Sequence, residues 1–239
     1  PRSSRVPHPG GPPEIRSVRK VALTALAATS IEWYDFFLYG TAAALVFNRL
    51  FFPTFDPLMG TLAAFGTYAV GFVARPVGGI VIGHYGDKIG RKSMLVLTLM
   101  IMGVATFLIG LLPTYETIGI WGAVLLTIGR AVQGLSVGGE WSGSVLMAGE
   151  WANPKRRGFT TSFAQFGAPA GMVLANGALA LMTAMTTEEQ FLTWGWRLPF
   201  LASIVLVFVG MYIRLGILET PADLIDPGVD GETLPRGPI

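Results

Sequence analysis

Long apolar runs, each about as long as a lipid bilayer is thick, occupy most of this 239-residue chain. A membrane-spanning helix needs about 20 consecutive, predominantly apolar residues. Charged residues make up 13% of the chain, whereas soluble domains carry about 25%. The pattern therefore predicts an all-α membrane protein with six transmembrane helices. The six runs are Val21–Phe47, Leu58–Ile82, Ser93–Leu112, about Ile118–Met147, Phe159–Thr183 (interrupted by Pro169) and Arg197–Gly216.

The connections between the runs differ sharply in charge. Basic residues in the first tail, the second connection and the fourth connection total eleven, against Arg49 and Arg197 on the opposite side. Cytoplasmic segments of membrane proteins carry the excess of Lys and Arg. The distribution predicts a multi-pass protein of the cell (inner) membrane, lying in the lipid bilayer with both termini in the cytoplasm. The eleven residues are Arg2, Arg5, Arg16, Arg19, Lys20, Lys88, Arg91, Lys92, Lys155, Arg156 and Arg157.

Several functional classes are disfavoured by composition. The chain has no cysteine, and its two histidines lie far apart, so no metal cluster is expected. The glycines of the second connection are not followed by Gly-Lys-Ser/Thr, which argues against a phosphate-binding loop. A net charge of +2 is too small to indicate a nucleic-acid partner. We expect neither a cofactor nor enzyme activity.

Two carboxylates interrupt the first run. Glu32 and Asp35 are three residues apart, which places them on one face of a helix. They lie roughly 17–21 Å along that helix, near the middle of a bilayer. Ionisable groups at that depth are costly and usually functional. Glycines recur at four-residue spacing, as in Gly134/Gly138 and Gly167/Gly171, which favours close helix packing.

The second connection, Gly83–Lys92, reads GHYGDKIGRK and is predicted to be a tight cytoplasmic turn. It resembles the signature G-x-x-x-D-[RK]-x-G-[RK]-[RK] that joins helices two and three in the major facilitator superfamily. The resemblance implies a cytoplasmic gate that takes part in switching between inward-open and outward-open states. The matching residues are Gly83, Asp87, Lys88, Gly90, Arg91 and Lys92.

Other stretches agree with this resemblance. The segment from Arg130 to Glu140 is similar to the fourth-helix motif of the superfamily, and Glu150 followed by Arg157 and Gly158 resembles its gate-latching loop. Three further runs resemble the metabolite:H+ symporter family, whose carriers transport shikimate, 2-oxoglutarate, citrate and other dicarboxylates, and proline or betaine. They are SIEWYDFFLYGT at 30–41, ARPVGGI at 74–80 and WGWRLPFL at 194–201. Over residues 21–221 the resemblance implies proton-coupled symport of a small organic acid or zwitterion by alternating access.

The resemblance and the physical reasoning together suggest roles for individual residues. Glu32 and Asp35 are candidates for proton carriage, or alternatively for ion pairs with Arg75 or Arg130. The two arginines are candidates for binding a substrate carboxylate, because guanidinium holds one in bidentate fashion, although Arg75 could instead extend towards the membrane surface. Tyr34 and Gln165 are candidates for lining a substrate cavity. Glu140 and Glu150 are expected to pair with cytoplasmic basic residues at the gate.

The domain organisation predicted from the sequence has three parts. They are a disordered tail at residues 1–20, a six-helix unit at 21–218 and a polar tail at 219–239. Members of the resembled family have two such six-helix halves around a central substrate path. We therefore expect a truncated carrier, namely an N-terminal half that works with a second transporter half. The alternative is a non-transporting remnant.

Overall fold

The structure is a computed structural model that describes residues 15–89, 91–138 and 157–215. Within these ranges six long helices, numbered α1 to α6 in chain order, account for most of the chain. They are α1 Ile15–Ala42, α2 Pro57–Ile89, α3 Arg91–Leu111, α4 Ile120–Val137, α5 Arg157–Met185 and α6 Arg197–Leu215. Shorter helical pieces are Asn48–Leu50, Tyr115–Ile118 and Glu188–Gln190, and Ala43–Phe47 and Phe191–Gly195 are π-helical.

Not all of these helices meet the length and hydropathy expected of a membrane span. Within the described ranges three do, at Pro57–Gly86, Ile120–Val137 and Gln165–Met185. A fourth span results if Glu188–Gly195 and Arg197–Tyr212, which meet at a bend of 41°, cross together. The all-α membrane fold is thus supported, and the count of six spans stays a prediction.

Helices α2 and α4 pack with their backbones in close contact at glycine residues. A Cβ added to Gly134 would overlap the backbone of Gly71, and one added to Gly138 would overlap the carbonyl of Arg75. Only glycine permits helices to pack this closely. The same device pairs α1 with α5, where Gly167 and Gly171 lie against the backbone of α1. The predicted packing role of both glycine pairs is therefore confirmed.

Gly134 provides a direct test of this packing. We expect Gly134→Ala to lower the free energy of unfolding by about 1–3 kcal/mol, because the added methyl group forces α2 and α4 apart. The matched control is Gly66→Ala on α2, where a Cβ would meet nothing within 4 Å. That change should be neutral or stabilise the helix by up to about 1 kcal/mol. Unfolding of the purified protein in detergent measures both, and equal stability of the two variants would contradict the close contact.

An aromatic core fixes α6 against the end of α1. Trp196 and Phe200 are fully buried, and their rings lie 5.7 and 5.9 Å from the ring of Phe47. Arg197 stacks on Trp196 and donates two hydrogen bonds from Nη1, to the carbonyls of Gly110 and Leu112 at 2.9 and 2.8 Å. These carbonyls have no helical partner at the end of α3, so Arg197 joins the end of α3 to the start of α6.

The predicted turn at Gly83–Lys92 is helical over most of its length. α2 continues to Ile89 and α3 begins at Arg91, so the bounds predicted for the tight turn, Gly83–Lys92, were wrong. Glycine costs a helix only about 1 kcal/mol, so Gly83 and Gly86 do not end it. Lys88 in the last turn of α2 favours the helix because a cation there complements the helix dipole.

Three other boundaries also differ from the sequence prediction. α1 begins at Ile15, inside the segment predicted to be a disordered tail. Pro169 lies within α5 and does not break it, because neighbouring groups in a membrane bundle can satisfy the freed carbonyl. The connection between the predicted runs Phe159–Thr183 and Arg197–Gly216 is mostly helical, and Thr187 and Gln190 form a capping box there.

Candidate functional site

A small cleft lies among α1, α2, α3 and α4. About 10 Å³ of space is left within it, close to that of one ordered water. A cleft of this size accommodates a proton or a water molecule but not a whole organic acid. Its lining consists of Glu32, Asp35, Phe36, Arg75, Met102, Arg130, Gln133, Gly134 and Val137.

A chain of hydrogen bonds connects Asp35 to Arg130 through this cleft. Arg130 Nη1 donates to Gln133 Oε1 at 3.1 Å, and Gln133 Nε2 donates to Thr106 Oγ1 at 2.6 Å. The Thr106 hydroxyl lies 2.7 Å from Asp35 Oδ2, to which it donates, and 2.9 Å from the carbonyl of Met102. Four side chains from α1, α3 and α4 therefore form one buried polar network, which we call the Asp35 relay.

The Asp35 relay is deeply buried. Its four members are each between 0% and 3% exposed. The second carboxyl oxygen of Asp35, Oδ1, is also buried and has no hydrogen-bond partner. An ionised carboxylate is costly in such surroundings, and a proton on Oδ1 would remove that cost. The relay thus contains an atom suited to taking up and releasing a proton.

Aromatic rings hold the two arginines of the cleft. The guanidinium carbon of Arg130 lies 4.8 Å from the ring centroid of Tyr39 and 4.7 Å from that of Tyr68. The guanidinium carbon of Arg75 lies 4.9 Å from the ring centroids of both Phe36 and Phe72. Such cation–π contacts stabilise a guanidinium without neutralising its charge.

A glycine on α2 makes room for the side chain of Arg130. A Cβ at Gly71 would lie 2.6 Å from Nε of Arg130. The side chain of Arg130 therefore passes over Gly71, between α2 and α4. The close glycine packing of these two helices and the position of the arginine depend on each other.

The structure brings together four of the six cavity residues proposed from the sequence. Glu32, Asp35, Arg75 and Arg130 all line the cleft. Tyr34 does not line it, and its hydroxyl donates to the carbonyl of Pro199 at 2.8 Å, which fastens α1 to α6. Gln165 lies on α5 with its side chain exposed.

The gate residues proposed from the sequence are only partly described. Gly83 and Lys88 are exposed on the last turns of α2. For four others the structure describes a helical backbone but not the side chain: Asp87, Arg91, Lys92 and Arg157. The remaining three lie outside the described residues: Gly90, Glu140 and Glu150. The gate assignment stays a prediction.

Two residues of the Asp35 relay were missed in the sequence. Thr106 is one of three hydroxyl residues in α3, with Ser93 and Thr98, and such residues are common in membrane spans and not specific to a site. Gln133 could have been predicted from the sequence, because it follows Arg130 by three residues and so lies on the same helical face. Tyr68, the ring against Arg130, gave no signal.

Comparison with known proteins agrees with this architecture. Residues 21–229 match the family described as "Sugar (and other) transporter". The chain is 52% identical over 202 residues to the shikimate transporter of Escherichia coli K12, covering 84% of this chain and 46% of that protein. It is 42% identical over 226 residues to the proline/betaine transporter of the same strain, covering 92% of this chain and 45% of that protein. The chain thus spans about half the length of these relatives.

Solved structures show the same fold. The inward-open xylose transporter XylE of E. coli superposes with a TM-score of 0.74 at 16% identity, over 86% of this chain and 49% of that one. XylE bound to 6-bromo-6-deoxy-D-glucose, described as a major facilitator superfamily proton:xylose symporter, gives a TM-score of 0.75 at 18% identity, over 89% and 47%. The family and these relatives are transporters and not enzymes. With the fold and the family match in agreement, the chain belongs to the "Sugar (and other) transporter" family.

Proposed function

We propose that this chain forms the N-terminal half of a proton-coupled symporter for a small organic acid or zwitterion, working by alternating access in the cell membrane. The observation that supports this most is the Asp35 relay, a buried carboxyl joined to a buried guanidinium within a membrane helix bundle. Buried ionisable groups of this kind mark ion and proton pathways.

The relay could couple protonation to helix movement. Its members lie on three helices, so any change at Asp35 alters contacts of α1, α3 and α4 together. A proton on Asp35 removes its attraction for Arg130 and changes the hydrogen bonding of Thr106. Proton uptake would then favour one packing of these helices over another, which is the differential interaction that a conformational switch requires.

The substrate class follows from two observations. Relatives of the chain are named for shikimate and for proline and betaine, and each of these compounds carries a carboxylate. The cleft contains two guanidinium groups, which bind carboxylates well. Because the cleft itself holds only about one water molecule, we place the substrate at its mouth. A second six-helix half would complete the path, as in the two-halved transporters.

Uptake measurements test this function. The chain is produced in cells together with the part of the E. coli shikimate transporter that it does not cover, and labelled shikimate, 2-oxoglutarate and betaine are supplied. We expect concentrative uptake of at least one compound, increased by an inward proton gradient. The control is the complementary part alone, which should not transport. If the chain is inserted in the membrane and none of the compounds shows gradient-dependent uptake, the proposal is wrong.

A further inference from the structure

Two aromatic rings contact Arg75. Its guanidinium carbon lies 4.9 Å from the ring centroids of both Phe36 and Phe72. Those two rings are only 5.2 Å apart and nearly perpendicular, at 88°, so they are close neighbours around the guanidinium. Tyr68 and Glu32 also interact electrostatically with Arg75, and its buried Nε has no hydrogen-bond partner.

Arg130 is much less available than Arg75. It is 3% exposed, its Nη1 donates to Gln133, and three aromatic rings lie within 5.6 Å of its guanidinium carbon. Arg75, by contrast, is only partly buried and lies at the edge of the cleft. Of the two arginines, Arg75 is the one that a ligand outside the cleft can reach. A guanidinium presents pairs of N–H donors in a planar arrangement that matches the two oxygens of a carboxylate.

The charges of the cleft can be counted from the described residues. Glu32 and Asp35 face it from α1, Arg75 from α2 and Arg130 from α4. The hydroxyl-bearing rings near the arginines, Tyr39 on α1 and Tyr68 on α2, are neutral, and α3 contributes only Thr106 and Met102.

This count depends on the proton of Asp35. With Glu32 and Asp35 both ionised, two positive and two negative charges balance. With Glu32 ionised and Asp35 protonated, one positive charge is left over. Net charge is costly in a low-dielectric interior, so the protonated cleft favours an added anion and the ionised cleft does not.

We propose that Arg75 binds the carboxylate of the substrate, and that this carboxylate binds together with one proton on Asp35. The proposal rests on the proposed transport function for the identity of the substrate class. It adds the receptor residue, the stoichiometry of one proton per carboxylate, and the reason for it. For a monocarboxylate such as shikimate, the pair enters without net charge.

Binding to the purified full chain in lipid nanodiscs tests the proposal without requiring transport. The probes are shikimate and its methyl ester, which lacks the negative charge. We expect wild-type protein to bind shikimate about tenfold more tightly at pH 6 than at pH 8, because an ionised Asp35 removes the excess positive charge. Arg75→Gln should lose about tenfold to a hundredfold in shikimate affinity at pH 6, the usual worth of a charge-assisted pair. The ester should bind wild type and Arg75→Gln equally weakly.

Further variants control for folding and for charge in general. Arg75→Lys keeps the positive charge but loses the planar pair of N–H donors. Its affinity for shikimate should lie between those of wild type and Arg75→Gln, with the same pH dependence. Asp35→Asn should bind shikimate with an affinity that does not change between pH 6 and pH 8. Arg49→Gln is the matched control, since Arg49 is exposed and pairs with Glu188 outside the cleft. It should bind as wild type does.

The outcomes separate this proposal from the transport function. The assignment of Arg75 as receptor is overturned if Arg75→Gln binds shikimate as tightly as the wild type does. It is also overturned if the folded wild type binds shikimate no more tightly than its methyl ester. A pH dependence that persists in Asp35→Asn would overturn the coupling to that residue. Carboxylate binding that needs Arg75, without any uptake in cells, would leave the receptor standing and remove the transport function. Undiminished uptake by Arg75→Gln would leave the transport function standing and remove Arg75 as the carboxylate receptor.

Discussion

Asp35→Asn is expected to abolish uphill accumulation of substrate while leaving exchange of substrate across the membrane intact. Coupling of one proton to one monocarboxylate is electroneutral, so only the pH gradient drives it. One pH unit corresponds to about 1.36 kcal/mol, which sustains an accumulation ratio of about tenfold. Asparagine keeps the size of Asp35 and can accept from Thr106, but it cannot carry a proton, so the ratio should fall to about one.

The measurement is the steady-state ratio of labelled shikimate inside and outside vesicles at an imposed gradient of one pH unit. Glu188→Gln is the matched control, because its exposed carboxyl pairs with Arg49 and lies outside the cleft. That variant should accumulate shikimate about tenfold, as the wild type does. A tenfold ratio in Asp35→Asn would show that Asp35 does not carry the coupled proton.

Removal of the Arg130 guanidinium should cost both stability and transport. Arg130→Leu deletes the hydrogen bond to Gln133 and the ring contacts with Tyr39 and Tyr68. It also leaves the carboxyl of Asp35 buried without its cation. Breaking a buried charge network in this way costs about 3–5 kcal/mol in free energy of unfolding. Uptake should fall to background.

The matched control for this change is Arg49→Leu. Arg49 pairs with Glu188 at 2.7 Å, but the two side chains are 57% and 77% exposed. Exposed pairs contribute about 0–1 kcal/mol, so this variant should keep almost all of its stability. Chemical unfolding in detergent compares the two. Equal losses in both variants would show that Arg130 is not part of a buried charge network.

The sequence located the charged members of the site better than their neutral partners. A carboxylate or an arginine in an apolar run stands out because its burial is costly, and Asp35 and Arg130 were identified for this reason. Thr106 was not, because a hydroxyl group is inexpensive in a membrane helix, where it can bond to its own backbone. The hydroxyl of Thr106 lies 2.9 Å from the carbonyl of Met102, and its one proton goes to Asp35 at 2.7 Å.

Helix boundaries were predicted least well. The rules for glycine, proline and charge describe helices in water, and Gly83, Asp87 and Pro169 were interpreted by them. α2 runs through the first two and α5 through the third. The position of Tyr34 also could not be derived, because its partner is the carbonyl of Pro199, 165 residues later in the chain. Pairing of α1 with α6 is a property of the bundle and not of either segment alone.

Proton movement on addition of substrate can be recorded directly. Vesicles containing the chain and its complementary half are placed in lightly buffered medium without any imposed gradient, and shikimate is added. Symport through Asp35 predicts that the external medium becomes alkaline, with about one proton taken up for each shikimate that enters, and that Asp35→Asn shows no such change. Shikimate entry into wild-type vesicles without alkalinisation would contradict proton coupling.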